Sequence, residues 1–465
     1  MPIGLISALQ PLKAGRMKKK AGMRLSNLSP LFMMSLKKSI DLDTIKKVPF
    51  YNLLTQNKAI IKQLFGFSLS TSLAQFIMMI ISIMLARHLG PERFGVLASS
   101  YAIGSLTSII FNLGLDAWLL REGVGSINQG ALLGKVLKIK AISGMIWLLV
   151  LILMSVVIRP DLYNLRLLLI VALDIWADAI FSTFLVVLNL RRSIVKYSTL
   201  LLLSRIAKLV MISALILLGI QNVDSFASSR AFVSILMMII LAILFRSEKN
   251  SNSIIKEKSI LIAARPYTIS DLLAIVYSQV DVTILYLIMG SLEVGIYSPA
   301  LNMINALFVV PNAIFLYSVP ALTNQFNAAK SGFVKMSKKL IRLLFAVGLT
   351  LTTVIGALSQ PLTNFFLGQR YSLTGEILLY LSPILLIKSL EFGFVAIIVS
   401  AMQQNKRLFP QSIAATLNIV LNVLLIPKLG INGAIIVYSA TEVILLAGYW
   451  CISKRTLKDY SVIEQ

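Results

Sequence analysis

The sequence predicts an all-α polytopic membrane protein of about twelve transmembrane helices, and three observations carry that prediction. The chain is 57% apolar with a mean hydropathy of +0.85, too hydrophobic for a soluble globule of ordinary composition. Its apolar residues gather into segments of about 20, the length that crosses a bilayer as a helix. Between those segments Lys and Arg alternate in abundance, as they do when basic loops are retained on the cytoplasmic side.

The first two spans are expected at 64–86 and 94–119, joined by the tight turn Leu89-Gly90-Pro91-Glu92-Arg93-Phe94-Gly95. The third and fourth follow at 140–158 and 166–188; the fourth carries Asp174, Asp178 and Ser182 as a polar stripe at helical spacing. In the fifth, 198–219, Arg205 and Lys208 share a face. The sixth, 226–245, holds Arg230 only four or five residues from its start, within snorkelling reach of the surface. Tyr267, Asp271, Ser278 and Asp281 form a second stripe in the seventh span, 263–289. Pro299, Pro311 and Pro320 punctuate the eighth, 294–319, so bends are expected there. The ninth is expected at 340–358. The tenth, 377–400, holds Lys388 and Glu391; the eleventh, 410–427, Asn418 and Asn422; the twelfth, 432–451, Thr441 and Glu442.

The chain repeats weakly at an offset of 200. Met289-Gly290-Ser291-Leu292-Glu293-Val294-Gly295 after the seventh span matches the turn after the first, with two glycines at the same spacing, and Leu429-Gly430-Ile431-Asn432-Gly433 gives a third version. Glycine permits both the turn and a close helix approach. Six helices on either side predict two lobes in the same orientation around a central cleft, related by an axis along the membrane normal. The expected division is a basic N-terminal tail at 1–61, an N-lobe at 62–248, a cytoplasmic linker at 249–262, a C-lobe at 263–452 and a C-terminal tail at 453–465. Arg246, Glu248, Lys249, Lys256, Glu257 and Lys258 mark the linker.

A net charge of +25 raises nucleic acid as a partner, but its distribution points elsewhere. With the N-terminus inside, 34 of the 44 basic residues fall in inner segments and six in outer loops. Both termini are therefore expected in the cytoplasm, and no nucleic acid is expected as partner. Lys18-Lys19-Lys20, Lys37-Lys38 and Lys46-Lys47 precede any long apolar core, which reads as a tail attracted to anionic lipid and not as a cleaved leader. Met17, Met23 and Met33 are alternative starts to it. Cys451 is the only cysteine and His88 the only histidine, so neither an intrachain disulfide nor a His/Cys metal site is expected. The chain has no phosphate-cradling Gly-Lys loop and no Gly-x-Ser-x-Gly turn. It reads as no enzyme, and no cofactor is expected.

Leu85-Ala86-Arg87-His88-Leu89-Gly90-Pro91-Glu92-Arg93-Phe94-Gly95, then Asn112-Leu113-Gly114-Leu115 and Arg121-Glu122, resemble the opening helix pair of Wzx-type polysaccharide flippases. Gly295-Ile296-Tyr297 with Pro311 and Pro320 resembles the start of their second lobe. Leu417-Asn418, Leu421-Asn422-Val423-Leu424-Leu425-Ile426-Pro427 and Gly430-Ile431-Asn432-Gly433-Ala434 are similar to their penultimate hairpin. The resemblance spans about residues 62–452. It implies a superfamily shared with multidrug and toxin extruders (MATE) and lipid II flippases, in which two lobes rock around a cleft. It also implies a multi-pass protein of the cytoplasmic membrane that moves glycans carried on polyprenyl diphosphate, for surface polysaccharide. Glycosyltransferases and a polymerase of the same pathway are the implied partners, beside the lipid-linked glycan and membrane lipid. Lipid II flippases usually carry two more helices, so a peptidoglycan precursor is not the expected cargo.

Charge inside the spans supplies the candidate residues, because a mid-bilayer charge costs roughly 2.5–3.5 kcal/mol and needs a partner or a hydrated cavity. Lys388, Arg205 and Lys208 are the candidate cationic contacts for a diphosphate, Arg offering bidentate geometry. Against that, Glu391 at i+3 simply neutralises Lys388, and Asp174 and Asp178 balance the two basic residues of the fifth span. Asp174, Asp178, Asp271, Asp281 and Glu391 are the candidate acidic lining. Two carboxylates one turn apart repel when both are ionised, so such a pair takes up a proton or sodium or salt-bridges a base. Glu442 reads as an interhelical hydrogen-bonding group. A MATE-like exporter of cationic drugs, with the carboxylates as cargo site, is the first alternative. A polymerase or ligase would need a large catalytic outer loop, and the longest, 359–376, offers only Arg370. A scaffold without transport is the remaining class.

Overall fold

The computed structural model describes residues 58–123, 129–157, 164–246, 257–328 and 330–461, all helices and their connections. The basic tail up to residue 57 and linker residues 249–256 lie outside the described residues. The chain opens with α1 (Lys58–Thr107), which is two limbs joined at Gly90 (φ 77°, ψ 168°). That backbone suits glycine, and Pro91 then starts the returning limb where its missing N–H is no loss. Short helices α2 (Ile109–Asn112) and α3 (Leu115–Glu122) follow, separated by Leu113 and Gly114, both left-handed. The N-lobe continues with α4 (Gln129–Val157), α5 (Leu165–Leu190), α6 (Ile194–Leu217) and α7 (Val223–Leu244).

The C-lobe repeats the order. It comprises α8 (Glu257–Met289), α9 (Ser291–Leu307), α10 (Val309–Ala328), α11 (Lys330–Phe366), α12 (Ser372–Leu381), α13 (Ile384–Ser400), α14 (Leu408–Leu429) and α15 (Ile431–Ser461). Ten helical stretches are long and apolar enough to cross a membrane, and α12 with α13, bent by 41°, makes an eleventh. The first stretch is two limbs joined at the non-helical Gly90, and counting each limb as a crossing gives the expected twelve. In hydrocarbon a helix satisfies its backbone internally, so apolar segments of this length have no alternative but to coil. The eighth span breaks at Phe308, where Pro311 cannot donate to the carbonyl of Leu307.

The helices run past the apolar segments. The third span begins at Gln129, eleven residues before the apolar run at 140, and the last continues to Ser461, through most of the segment expected as a tail. Polar turns at these ends remain helical because they still pack on neighbouring helices. Rows of large apolar side chains on α4, including Ile142, Met145, Ile146, Leu149 and Leu153, are exposed and suit a lipid environment.

Most extensive of the contacts between helices is that of α1 with α9, which joins the lobes. Its centre has approximate two-fold symmetry in the sequence itself. A Cβ on Gly95 would overlap the carbonyl oxygen of Ser291, and one on Gly295 would overlap that of Pro91. Positions 91 and 291, and 95 and 295, thus exchange roles, as an isologous contact requires. The spacing that reads in sequence as a turn divides its labour: the first glycine makes the turn, the second lets backbones touch. Nearby, the Asn302 amide donates to Ser82 Oγ (2.8 Å) and the Tyr371 hydroxyl to the Ala86 carbonyl (2.6 Å). Arg87 reaches the carbonyl of Phe365 at 3.1 Å.

At the opposite end α8 docks on α3 and the turn before it. The Thr268 hydroxyl donates to Leu113 O (2.7 Å), Arg121 donates to the Tyr267 hydroxyl (2.9 Å), and the backbone of Gly114 lies against Tyr267 and Thr268. Lys138 and Glu257 add an exposed ion pair at 3.2 Å. The lobes therefore touch at both membrane faces.

Candidate functional site

Buried ion pairs among the described residues lie in three groups, one inside each lobe and one in the N-lobe where it meets α8. In the N-lobe, α5 and α7 pack side by side with α6 against them. Arg205 grips Asp178 bidentately, Nη1 to Oδ1 at 2.8 Å and Nη2 to Oδ2 at 3.1 Å. Lys208 sits between the two carboxylates, 3.1 Å from an oxygen of each. Asp174 also accepts from Ser234 Oγ (2.5 Å) and the Tyr101 hydroxyl (2.6 Å), and Arg230 approaches it at 3.3 Å. The Arg230 guanidinium lies over the Tyr101 ring, 3.9 Å from its centre. Three cations face two carboxylates, a formal surplus of one positive charge. Asp174 and Lys208 are almost fully buried, whereas Arg205, Arg230 and Asp178 are only partly covered.

The second group is the C-lobe trio. Lys388 lies in the first turns of α13, just past the break at Ser382 and Pro383 that bends it away from α12. Its ammonium binds Glu391 Oε2 at 3.0 Å and forms a close ion pair with Glu442 of α15. All three are at most 5% exposed. Tyr277 of α8 covers the ammonium with its ring, 5.4 Å away at the centre. One cation serves two carboxylates, and Oε1 of each glutamate is buried without a hydrogen-bond partner. The Asn422 amide donates to Asn418 Oδ1 at 3.1 Å, and the Asn418 amide donates to the hydroxyl of Thr441, beside Glu442 in sequence, at 3.2 Å. Glu442, expected to hydrogen-bond between helices, instead forms an ion pair. Asp281 is separate: buried, it accepts from the Tyr297 hydroxyl (2.9 Å) and the Val282 N–H (2.8 Å) and forms no ion pair among the described residues.

The third group lies where the N-lobe meets α8. Lys140 of α4, fully buried, binds Asp116 of α3 at 2.8 Å and the Thr183 hydroxyl at 2.9 Å. Thr183 and Ser182 donate to the two oxygens of Asp116 at 2.8 and 3.3 Å. Beside them lies a cavity of about 250 Å³ lined by Asn112, Asp116, Ala179 and Ser182 from the N-lobe and by Asp271 and Ile275 from α8.

The structure sorts the sequence candidates by lobe. Basic residues of the fifth and tenth spans fall into separate clusters and do not line one shared cleft with both acidic stripes. Arg205 and Lys208 pair with Asp174 and Asp178 inside the N-lobe, and Lys388 pairs with glutamates of its own lobe. The seventh-span stripe is likewise divided: Asp271 and Asp281, ten residues apart, are separated by about 15 Å along the helix. Ser182 turns from Asp174 and Asp178 towards Asp116. Arg230 does not snorkel; it completes the Asp174 cluster. Asp116 and Lys140 were not singled out from sequence. Lys140 sits among Lys135 and Lys138 at the polar start of α4, and its burial follows only from the helix extending back to Gln129.

Comparison with known proteins places this architecture. Residues 60–326 match the family described as "Polysaccharide biosynthesis protein". No curated protein matches the chain significantly. Among solved structures, the lipid II flippase MurJ in an inward closed conformation superposes with a TM-score of 0.64 at 14% identity, covering 85% of this chain and 90% of its own. An outward-facing multidrug resistance MATE family transporter of the MOP superfamily gives 0.58 at 12% identity, with 86% and 96% covered. The eukaryotic MATE transporter AtDTX14 gives 0.60 at 12% identity, with 88% and 98% covered. At these identities the likeness is one of fold: two six-helix lobes and twelve spans.

Proposed function

The chain belongs to the polysaccharide biosynthesis protein family, and from that premise we propose that it is a flippase for glycans linked to polyprenyl diphosphate. It works in the cytoplasmic membrane, with both termini inside, by alternating access. The observation that carries the reading is the pair of inter-lobe contacts. Gly95 and Gly295 seal one face, and the α8–α3 contact seals the other, so rocking the lobes opens one while the other closes.

The N-lobe cluster supplies the headgroup contact in this reading. Its surplus positive charge and the partly exposed guanidinium of Arg205 suit a diphosphate, and Lys208 holds Asp174 and Asp178 so that Arg205 stays oriented. Lys388 is enclosed by its two glutamates, and we assign it to holding α13 against α15. Asp281, buried with no cation beside it, is the carboxylate we assign to coupling by H⁺ or Na⁺. Glycosyltransferases and a polymerase of the same pathway would supply and receive the glycan.

Reconstitution in liposomes with a fluorescent polyprenyl-diphosphate oligosaccharide tests the function. Transfer of label to the outer leaflet is expected; its absence across neutral and acidic glycans alike overturns the reading. The fold also supports a MATE-like exporter, and a deletion strain separates the two: loss of drug tolerance with intact surface glycan would favour the exporter.

A further inference from the structure

The cavity between Asp116 and Asp271 has no part in headgroup binding as described above, and its chemistry differs from the N-lobe cluster. Asp116 already has its counter-cation in Lys140 and two hydroxyl donors, whereas Asp271 is half-buried and makes no hydrogen bond or ion pair among the described residues. With Lys140 counted against Asp116, the two aspartates of the lining leave a formal charge of −1. Such a lining repels phosphate and carboxylate, and accepts hydrogen bonds from hydroxyl or amide donors. Ala179 and Ile275, one turn from Ser182 and Asp271 on their helices, add apolar surface to the lining. Carboxylate acceptors interleaved with aliphatic surface match a sugar ring, which has hydroxyls around its rim and C–H groups on its faces. A volume of about 250 Å³ equals roughly eight waters at about 30 Å³ each, room for one ring and not for a chain.

We propose that this cavity is a subsite for one uncharged sugar ring of the cargo and that it discriminates against acidic sugars. The proposal rests on the flippase reading and adds a location and a selectivity to it. Because Asn112, Asp116 and Ser182 belong to one lobe and Asp271 and Ile275 to the other, the site is whole only while the α8–α3 contact is closed. A ring held by both walls binds the closed form better than the open one and shifts the population towards it. Glycan is thus read where the lobes meet, and the diphosphate is read within the N-lobe.

Hydrogen–deuterium exchange of the full chain in nanodiscs tests this with free glucose, N-acetylglucosamine and glucuronate as probes. The neutral sugars should slow exchange at Leu113–Asp116 and around Tyr267–Asp271, and glucuronate should not. Asp271→Asn should weaken the neutral sugars by about ten- to a hundredfold, the loss of one charge-assisted hydrogen bond, and should admit glucuronate. Ile275→Trp, which fills the cavity and leaves the carboxylates in place, should abolish protection altogether. Equal protection by glucuronate, an unchanged response in both variants, or the same protection by sodium chloride alone would overturn the subsite. Labelled-glycan transfer in liposomes is run in parallel. Transfer without sugar-dependent protection removes the subsite and leaves the flippase reading standing. Failure of every lipid-linked glycan to move removes the flippase reading itself.

Discussion

Replacing Lys388 by Met should strand two carboxylates in the C-lobe core. In the native protein the ammonium is 3.0 Å from Glu391 Oε2 and in close contact with Glu442. At an effective dielectric of about 20, one such contact is worth about 5 kcal/mol of Coulomb attraction, much of it offset by the desolvation of the ions. Removing one partner of a buried pair typically costs about 3–5 kcal/mol, because the remaining charge stays buried and unpaired. For a unit of lobe size, at roughly 2–4 °C per kcal/mol, that is a fall in melting temperature of about 10 °C. The assay is thermal unfolding in detergent of Lys388→Met, followed by the triple variant Lys388→Met/Glu391→Gln/Glu442→Gln. The triple variant keeps the volume and removes all three charges, and should recover most of the loss, with glycan transfer retained. A triple variant as stable as the wild type but unable to transport would refute the reasoning and place Lys388 on the cargo.

Three further outcomes follow from the geometry. Gly295→Leu should push Pro91 away from position 295, open the α1–α9 contact and abolish transfer, with a cysteine at Asn302 becoming reactive to a membrane-impermeant maleimide added outside. Arg205→Lys should keep the charge but lose the two-pronged grip on Asp178, lowering transfer more than stability, whereas Arg205→Ala should lower both. Tyr371→Phe should cost about 1–3 kcal/mol, read as a lower melting temperature, since the Ala86 carbonyl loses a buried donor at 2.6 Å.

The spans and the two-lobe arrangement were legible in the sequence, because bilayer thickness fixes helix length and the glycine-rich turns recur at an offset of 200. Offset glycines at 90, 95, 290 and 295 pointed to equivalent turns, but a linear pattern does not show that the second of each pair meets the other lobe. Charged residues could be found but not paired. Asp174, Asp178, Arg205 and Lys208 were near enough in sequence to be matched, and they do meet. Lys388 reaches Glu442 from 54 residues away, and Asp116 meets Lys140 across a connection whose register hydropathy does not fix. Lys140 was hidden for a further reason: a lysine at the polar start of a span reads as a loop residue until the helix is seen to begin a dozen residues earlier.

The rocking of two lobes around alternately sealed faces is tested most directly by locking each seal in turn. In a Cys451→Ser background, Ser82→Cys/Asn302→Cys places thiols where a side-chain contact of 2.8 Å joins α1 to α9, and Arg121→Cys/Tyr267→Cys, whose long native side chains meet at their tips at the α3–α8 contact, is bridged by a bifunctional methanethiosulfonate spacer. Glycan transfer in proteoliposomes should stop when either pair is cross-linked and return on reduction. Undiminished transfer with either pair fully cross-linked would contradict alternating access in this protein.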